Sequence, residues 1–445
     1  MAGGTFSLAA GKVRPGTYVN LKNGRPPASQ GTTRGTACIV LPGYDYGPRN
    51  QWIVLTAAAP DAAKAKLGRS IYDDNDSMIM LQLMFMNAST VYVYIPDGGT
   101  AAKISVKIGE VNAEFTAREK GTLGNKLQLS SVANPIGGFD VTVYLGGVAV
   151  ETMEGLENIE EIEEKSEYIS TTATGALAAF ASATLAGATD DSSGNSGIST
   201  FLDMSEKIKF NSMCFPITES SLQAALLTTI KYIRNSIGWK CQAVAPDFAA
   251  DFEGIINITN SFEYDGKQLT KAQACAWYAG ATAAADYVTS NTYVTVPNAT
   301  AVVGEKTHEE AELAIKSGET FFSVSDSGEV QVETDINSKV KITSDMPQDI
   351  NKNRPLRVYD TFCNDCLLNF KPNQFSGKES DYIVIEGLGK EMLKKYEKEG
   401  AIQNVDYDND FVVDRGLSAG DYVVINVGLQ AVDSIEKFYI TVIAR

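Results

Sequence analysis

Histidine is almost missing from this chain. His308 is the single imidazole in 445 residues, and no G-x-x-x-x-G-K-[ST] phosphate loop occurs. A nucleotide-driven engine lacks its loop, and a hydrolytic triad has only His308 to draw on. His308 sits in Thr307-His308-Glu309-Glu310, where Thr307 as cap and Glu310 three residues on read as a helix start rather than a catalytic setting. Gly121-Thr122-Leu123-Gly124-Asn125-Lys126 lacks the phosphate-loop spacing and is expected to be a turn, and Asp326-Ser327-Gly328 is expected at a hairpin turn.

Other shortages narrow the class further. Six cysteines (Cys38, Cys214, Cys241, Cys275, Cys363, Cys366) follow no framework spacing, as expected of buried thiols in a reducing compartment. Cys363 and Cys366 form a C-x-x-C without a second pair to complete a metal site, so both are expected on the core face of a helix. Basic residues are outnumbered, 38 Lys and Arg against 55 Asp and Glu for a net charge of −17, which disfavours nucleic acid and anionic membranes. The most apolar stretch, Met78 to Ile95, is interrupted by Gln82, Asn87 and Ser89, so no membrane span is expected. The opening Met-Ala-Gly-Gly-Thr-Phe has no basic then apolar leader, so no secretory signal is expected. With only 14 prolines and 44% hydrophobic residues the chain is globular, and its length calls for several cores.

What is present reads as a multidomain α/β protein. Residues 1–20 form an N-terminal arm, and 21–98 the first part of an α/β layer core with a strand at 37–41, helices at 57–67 and 77–87, and a strand at 90–95. Residues 99–190 change to a period of two and suggest an inserted β-sandwich, with strands at 103–108, 126–132 and 139–144. Within it, residues 151–169 place Met153, Leu156, Ile159 and Ile162 at helical spacing on an acidic segment, which predicts a solvated helix. The core resumes over 191–350 with helices at 220–236, 271–287 and 307–317 and a strand at 240–245. Residues 351–436 suggest a C-terminal α+β assembly domain with helices at 358–370 and 389–399 and a strand at 422–427, leaving 437–445 as a C-terminal arm.

Both arms look made for pairing. Phe438, Tyr439, Ile440, Val442 and Ile443 put apolar side chains on both faces of one strand, which predicts insertion between other strands. Val13, Tyr18, Val19 and Leu21 mark a short strand after a loose, Gly-rich start. The pairing can be internal or can complete a sheet in another copy, and the residues alone fit either. A second candidate surface is the stripe Lys390, Lys394 and Lys398, at i, i+4 and i+8 with Lys395 beside it, in an otherwise acidic chain. It reads as a solvated helix face with a Glu391–Lys395 pair, or as a basic surface that docks on an acidic protein.

Four segments, taken together, carry a family resemblance: KVRPGTYVN at 12–20, AREKGTLGNK at 117–126, VQVETDINS at 330–338 and GLQAVDSIEKFYITV at 428–442. In the same order they resemble segments of the contractile tail sheath proteins of myophages, especially those of Gram-positive prophages and phage-tail-like bacteriocins. Lys120, Leu123 and Lys126 depart from the family pattern, which often has Pro, Arg and Asp there. The resemblance implies a non-enzymatic subunit without cofactor that stacks as hexameric rings around a tail tube, with terminal arms joining sheets of neighbouring copies. It implies contraction from a baseplate that drives the tube through a bacterial envelope without nucleotide. The implied partners are neighbouring sheath subunits, the tail tube protein, and baseplate and tail-end cap proteins, with no nucleic acid and no direct membrane binding. The implied location is a virion tail or phage-tail-like particle assembled in the host bacterial cytoplasm. The readings from other classes are an α/β enzyme with an unrecognised site and another self-assembling protein such as a surface-layer subunit.

Overall fold

Strand composition fixes the centre of the fold. Thr36–Val40, Thr90–Tyr94, Gln242–Pro246 and Ile255–Ile258 are short, nearly continuous apolar runs, as strands buried on both faces must be. In the computed structural model, which describes residues 2–4, 16–18, 32–191 and 197–443, they lie in one seven-stranded sheet. Its order is Glu319–Thr320, Ile255–Ile258, Gln242–Pro246, Ser212–Cys214, Thr36–Val40, Thr90–Tyr94 and Trp52–Thr56. All pairings are parallel except that of the Trp52–Thr56 edge. Alternate residues feed two cores: Ala37, Ile39 and Val244 face helices Asp76–Phe85 and Lys271–Ala284, while Cys38, Val40 and Ala243 face helices Ile198–Ser205 and Ser220–Tyr232. Gly280 makes the first pair of helices possible, since a Cβ there would stand 2.5 Å from the carbonyl oxygen of Met84.

Residues 99–190 add two antiparallel sheets, one ordered Ile169–Thr171, Val111–Ala117, Lys103–Ile108 and the other Val148–Leu156, Phe139–Leu145, Leu127–Ala133, Phe180–Thr184. Phe115 of the first stacks on Phe180 of the second at 6.2 Å. The segment enters and leaves side by side, with Thr100 bridged to Thr189 and Lys103 to Ala186.

Two expected helices are corrected here. Met153 and Leu156 belong to the strand Val148–Leu156, opposite Val141 and Phe139, and only Glu161–Lys165 is helical. Gly155, at φ +67°, takes a backbone conformation that no helix continues. The four apolar residues are buried as expected, but by a strand, a turn and a short helix instead of one helix face. Of residues 57–67 only Lys64–Leu67 is helical. Pro60 holds its predecessor out of the α region, and Ala59 closes a tight turn on Thr56.

Contacts divide the chain into two compact units. One comprises Thr32–Asn364 with the tail from Asp433, and the other Asp365–Val432 with the N-terminal strands. In the second, Ala2–Gly4 pairs in parallel with Gly16–Tyr18, and Phe411–Ala419 pairs antiparallel with Tyr422–Val427. Helix Glu379–Lys398 extends ten residues before the expected start at Gly389, because Gly389 is a packing contact rather than a break: a Cβ there would stand 2.1 Å from the Phe411 ring. Helix Asn353–Asn369 likewise starts early, with Pro355 in its first turn, where a missing N–H costs little. Cys363 is exposed and Cys366 half-buried, contrary to the core face expected, because Thr361, Phe362, Asn364 and Asp365 occupy that face.

Candidate assembly surface

Among the described residues the tail is the least covered apolar segment. Phe438, Tyr439, Ile440, Val442 and Ile443 are between 76% and 92% exposed, and no strand among the described residues pairs with them. Just before them the backbone is strapped down. Lys352 Nζ lies 2.5 Å from Asp433 Oδ2 and 2.9 Å from Glu436 Oε2, Thr292 Oγ1 donates to Glu436 at 3.0 Å, and Arg354 Nη1 donates to Ser434 Oγ at 3.1 Å. Burial disfavours the Lys352 ammonium, but the hydrogen bonds it donates to Asp433 and Glu436 overcome this and raise its pKa.

Beneath the strap lies a buried polar network around Asp335. Its carboxylate accepts from Arg357 Nη2 at 2.6 Å, Tyr278 Oη at 2.8 Å, Asn353 Nδ2 at 2.9 Å and the Asn291 amide at 2.8 Å. Burial pushes the Asp335 pKa up, yet Arg357 and these donors outweigh it and hold the group below the usual carboxylate range. A second buried pair joins Arg234 to Asp360 at 2.6 Å. Thus Asp335, within the signature run 330–338, organises the start of helix Asn353–Asn369.

Of the N-terminal residues, Tyr18 closes the strand Gly16–Tyr18, while Val13, Val19 and Leu21 lie outside the described residues. The hairpin Phe411–Val427 buries Phe411 and Val413. Arg415 is clasped by Glu379 and Glu386, and Leu417, Tyr422 and Val427 are left exposed.

The lysine stripe occupies the open side of helix Glu379–Lys398, opposite Leu388, Met392 and Tyr396, which are buried. Lys394 and Lys398 are exposed and Lys390 and Lys395 half-buried. Lys390 reaches Asp408 at 3.4 Å, and Glu391 pairs with Lys394 at 3.1 Å rather than with Lys395. The i, i+3 partner is the one its side chain meets.

His308 is 89% exposed at the start of a helix with a complete Thr307–Glu310 capping box. Among the described residues no group of three His, Cys, Asp or Glu could hold a metal, and no helix is long and apolar enough to cross a membrane. The Asp326–Gly328 turn joins the hairpin Phe322–Val324 and Val330–Val332 as expected.

A layered body with an uncovered apolar tail has the build of a structural subunit. Comparison with known proteins gives that class its family. The phage tail sheath protein central domain matches residues 191–338 and the phage tail sheath C-terminal domain residues 345–445. The phage-like element PBSX protein XkdK of Bacillus subtilis strain 168 is 31% identical over 99% of both chains. A sheath tail protein from Desulfitobacterium hafniense superposes with a TM-score of 0.82 at 29% identity, covering 96% of this chain and 99% of that one. The contracted helical sheath of the anti-feeding prophage shares the fold alone, with a TM-score of 0.57 at 10% identity over 98% of this chain and 99% of that one. The chain belongs to the contractile phage tail sheath family, a structural family rather than an enzymatic one.

Proposed function

We propose that this chain polymerises as stacked hexameric rings around a tail tube and contracts from a baseplate to drive the tube through a bacterial envelope. Copies are linked by strand exchange of their terminal arms, with partners at the tube, the baseplate and the tail end. Assembly takes place in the host cytoplasm. One observation carries this reading: the exposed, unpaired segment Phe438–Ile443. The two-stranded hairpin Phe411–Val427 is a fitting receiver, since so small a sheet is marginal alone and gains from added strands.

The magnitudes agree. Covering each large apolar side chain contributes about 1.5 to 3 kcal/mol, and each ladder hydrogen bond about 0.5 to 1.5 kcal/mol. Ordering the backbone costs about 1 to 2 kcal/mol per residue, so one arm adds modestly and a lattice of arms adds many times over. Deleting Phe438 to Arg445 is expected to leave a folded, soluble chain that forms no long tubes. Normal tubes from that deletion in electron micrographs would refute strand exchange by the tail.

A further inference from the structure

The two signature segments near the tail are physically joined. Lys352 is bridged through its backbone to Ile336, and the next residue, Asn353, donates from its amide to the Asp335 carbonyl at 3.0 Å and from its side chain to the Asp335 carboxylate. The Asp335 amide donates to Thr292 Oγ1 at 3.0 Å, and that hydroxyl donates onward to Glu436. The run 330–338 therefore builds the seat to which Asp433, Ser434 and Glu436 are fastened. Ile435, between the fastened residues, points outward at 77% exposure, and everything from Lys437 to Ile443 is exposed.

We infer that Lys352, with Thr292 and Arg354, is a positioning residue for strand donation: it fixes the root of the donated arm at Glu436. This rests on the strand-exchange reading and adds where the arm begins. An arm with one root reaches a neighbour's sheet in one register. Freeing Asp433 to Glu436 returns four residues of slack, about 13 Å at some 3.3 Å per residue, enough to shift pairing by several ladder positions, and a slip of one residue already turns the side chains to the wrong face.

The test compares full-length wild type with Asp433→Asn/Glu436→Gln, altered only on the tail side so that the body is untouched, and with the swap Lys352→Glu/Asp433→Lys/Glu436→Lys. The paired carboxylate-to-amide variant is expected to raise hydrogen exchange at residues 433–436 at least tenfold while leaving Phe411–Val427 unchanged. It should give short tubes of irregular repeat by electron microscopy, and the swap should restore both measures. Wild-type exchange or wild-type tubes from that variant would overturn the inference, as would a folded swap variant that restores neither. The deletion of Phe438 to Arg445 separates the two ideas. If the deletion blocks tubes and the clamp variant does not disturb them, the clamp fails alone, whereas if the deletion also forms normal tubes, strand donation itself fails.

Discussion

Asp335 shows how much one residue can hold. It is about 2% exposed, Arg357 about 1%, and together with Tyr278 and Asn353 they tie sheet, helix and tail seat into one network. Asp335→Asn leaves Arg357 buried without its counter-charge and is expected to destabilise the larger unit by about 3 to 5 kcal/mol, read as a lower urea midpoint at pH 7. The sign with pH follows from the depressed folded pKa. The ion pair's contribution is complete above the unfolded value near 4 and is lost as pH falls below it toward the folded value, so the gap between wild type and variant should narrow in acid. Sequence marked Asp335 only as part of a family-like run. Its role was invisible because its partners, Arg357, Tyr278 and Asn291, are scattered along the chain and meet only in the fold.

Helices show where sequence reading succeeds and where it stops. The Thr307–Glu310 box and the ladder 103–108 were legible because cap chemistry and period two are local signals. The acidic run 151–169 misled, since Met153 and Leu156 are three apart and suit a helix as readily as a bulged strand, and only pairing with Phe139–Leu145 decides. Glycine was the hardest residue to interpret. Gly280→Val would drive a side chain into Met84 and is expected to cost about 1 to 3 kcal/mol, seen as a lower melting temperature. Gly387, in helix Glu379–Lys398, has nothing within 4 Å of a Cβ, so Gly387→Ala is expected to stabilise that unit by about 0.5 to 1 kcal/mol in the same measurement. Identical residues in similar helices thus have opposite signs, set by neighbours that sequence does not show.

At the scale of the whole molecule, the α/β layers of the core and the apolar character of the tail were readable, whereas the side-chain clamp before the tail was not. Its residues, Thr292, Lys352 and Glu436, carry no local pattern. The basic helix face gives the remaining prediction. Reversing Lys390, Lys394, Lys395 and Lys398 to Glu is expected to weaken attachment to the tail tube at low salt while self-assembly of the sheath persists, measured by co-sedimentation with preformed tubes. Unchanged binding at low salt would remove that surface from the tube interface. The exposed end has one more consequence when set beside the net charge of −17. Like-charged bodies repel across about 10 Å at 0.1 M salt, while a greasy strand attracts only on touching. A crowded pool of these chains is therefore expected to stay dispersed at low salt, with adhesion outrunning repulsion only where copies are held close together.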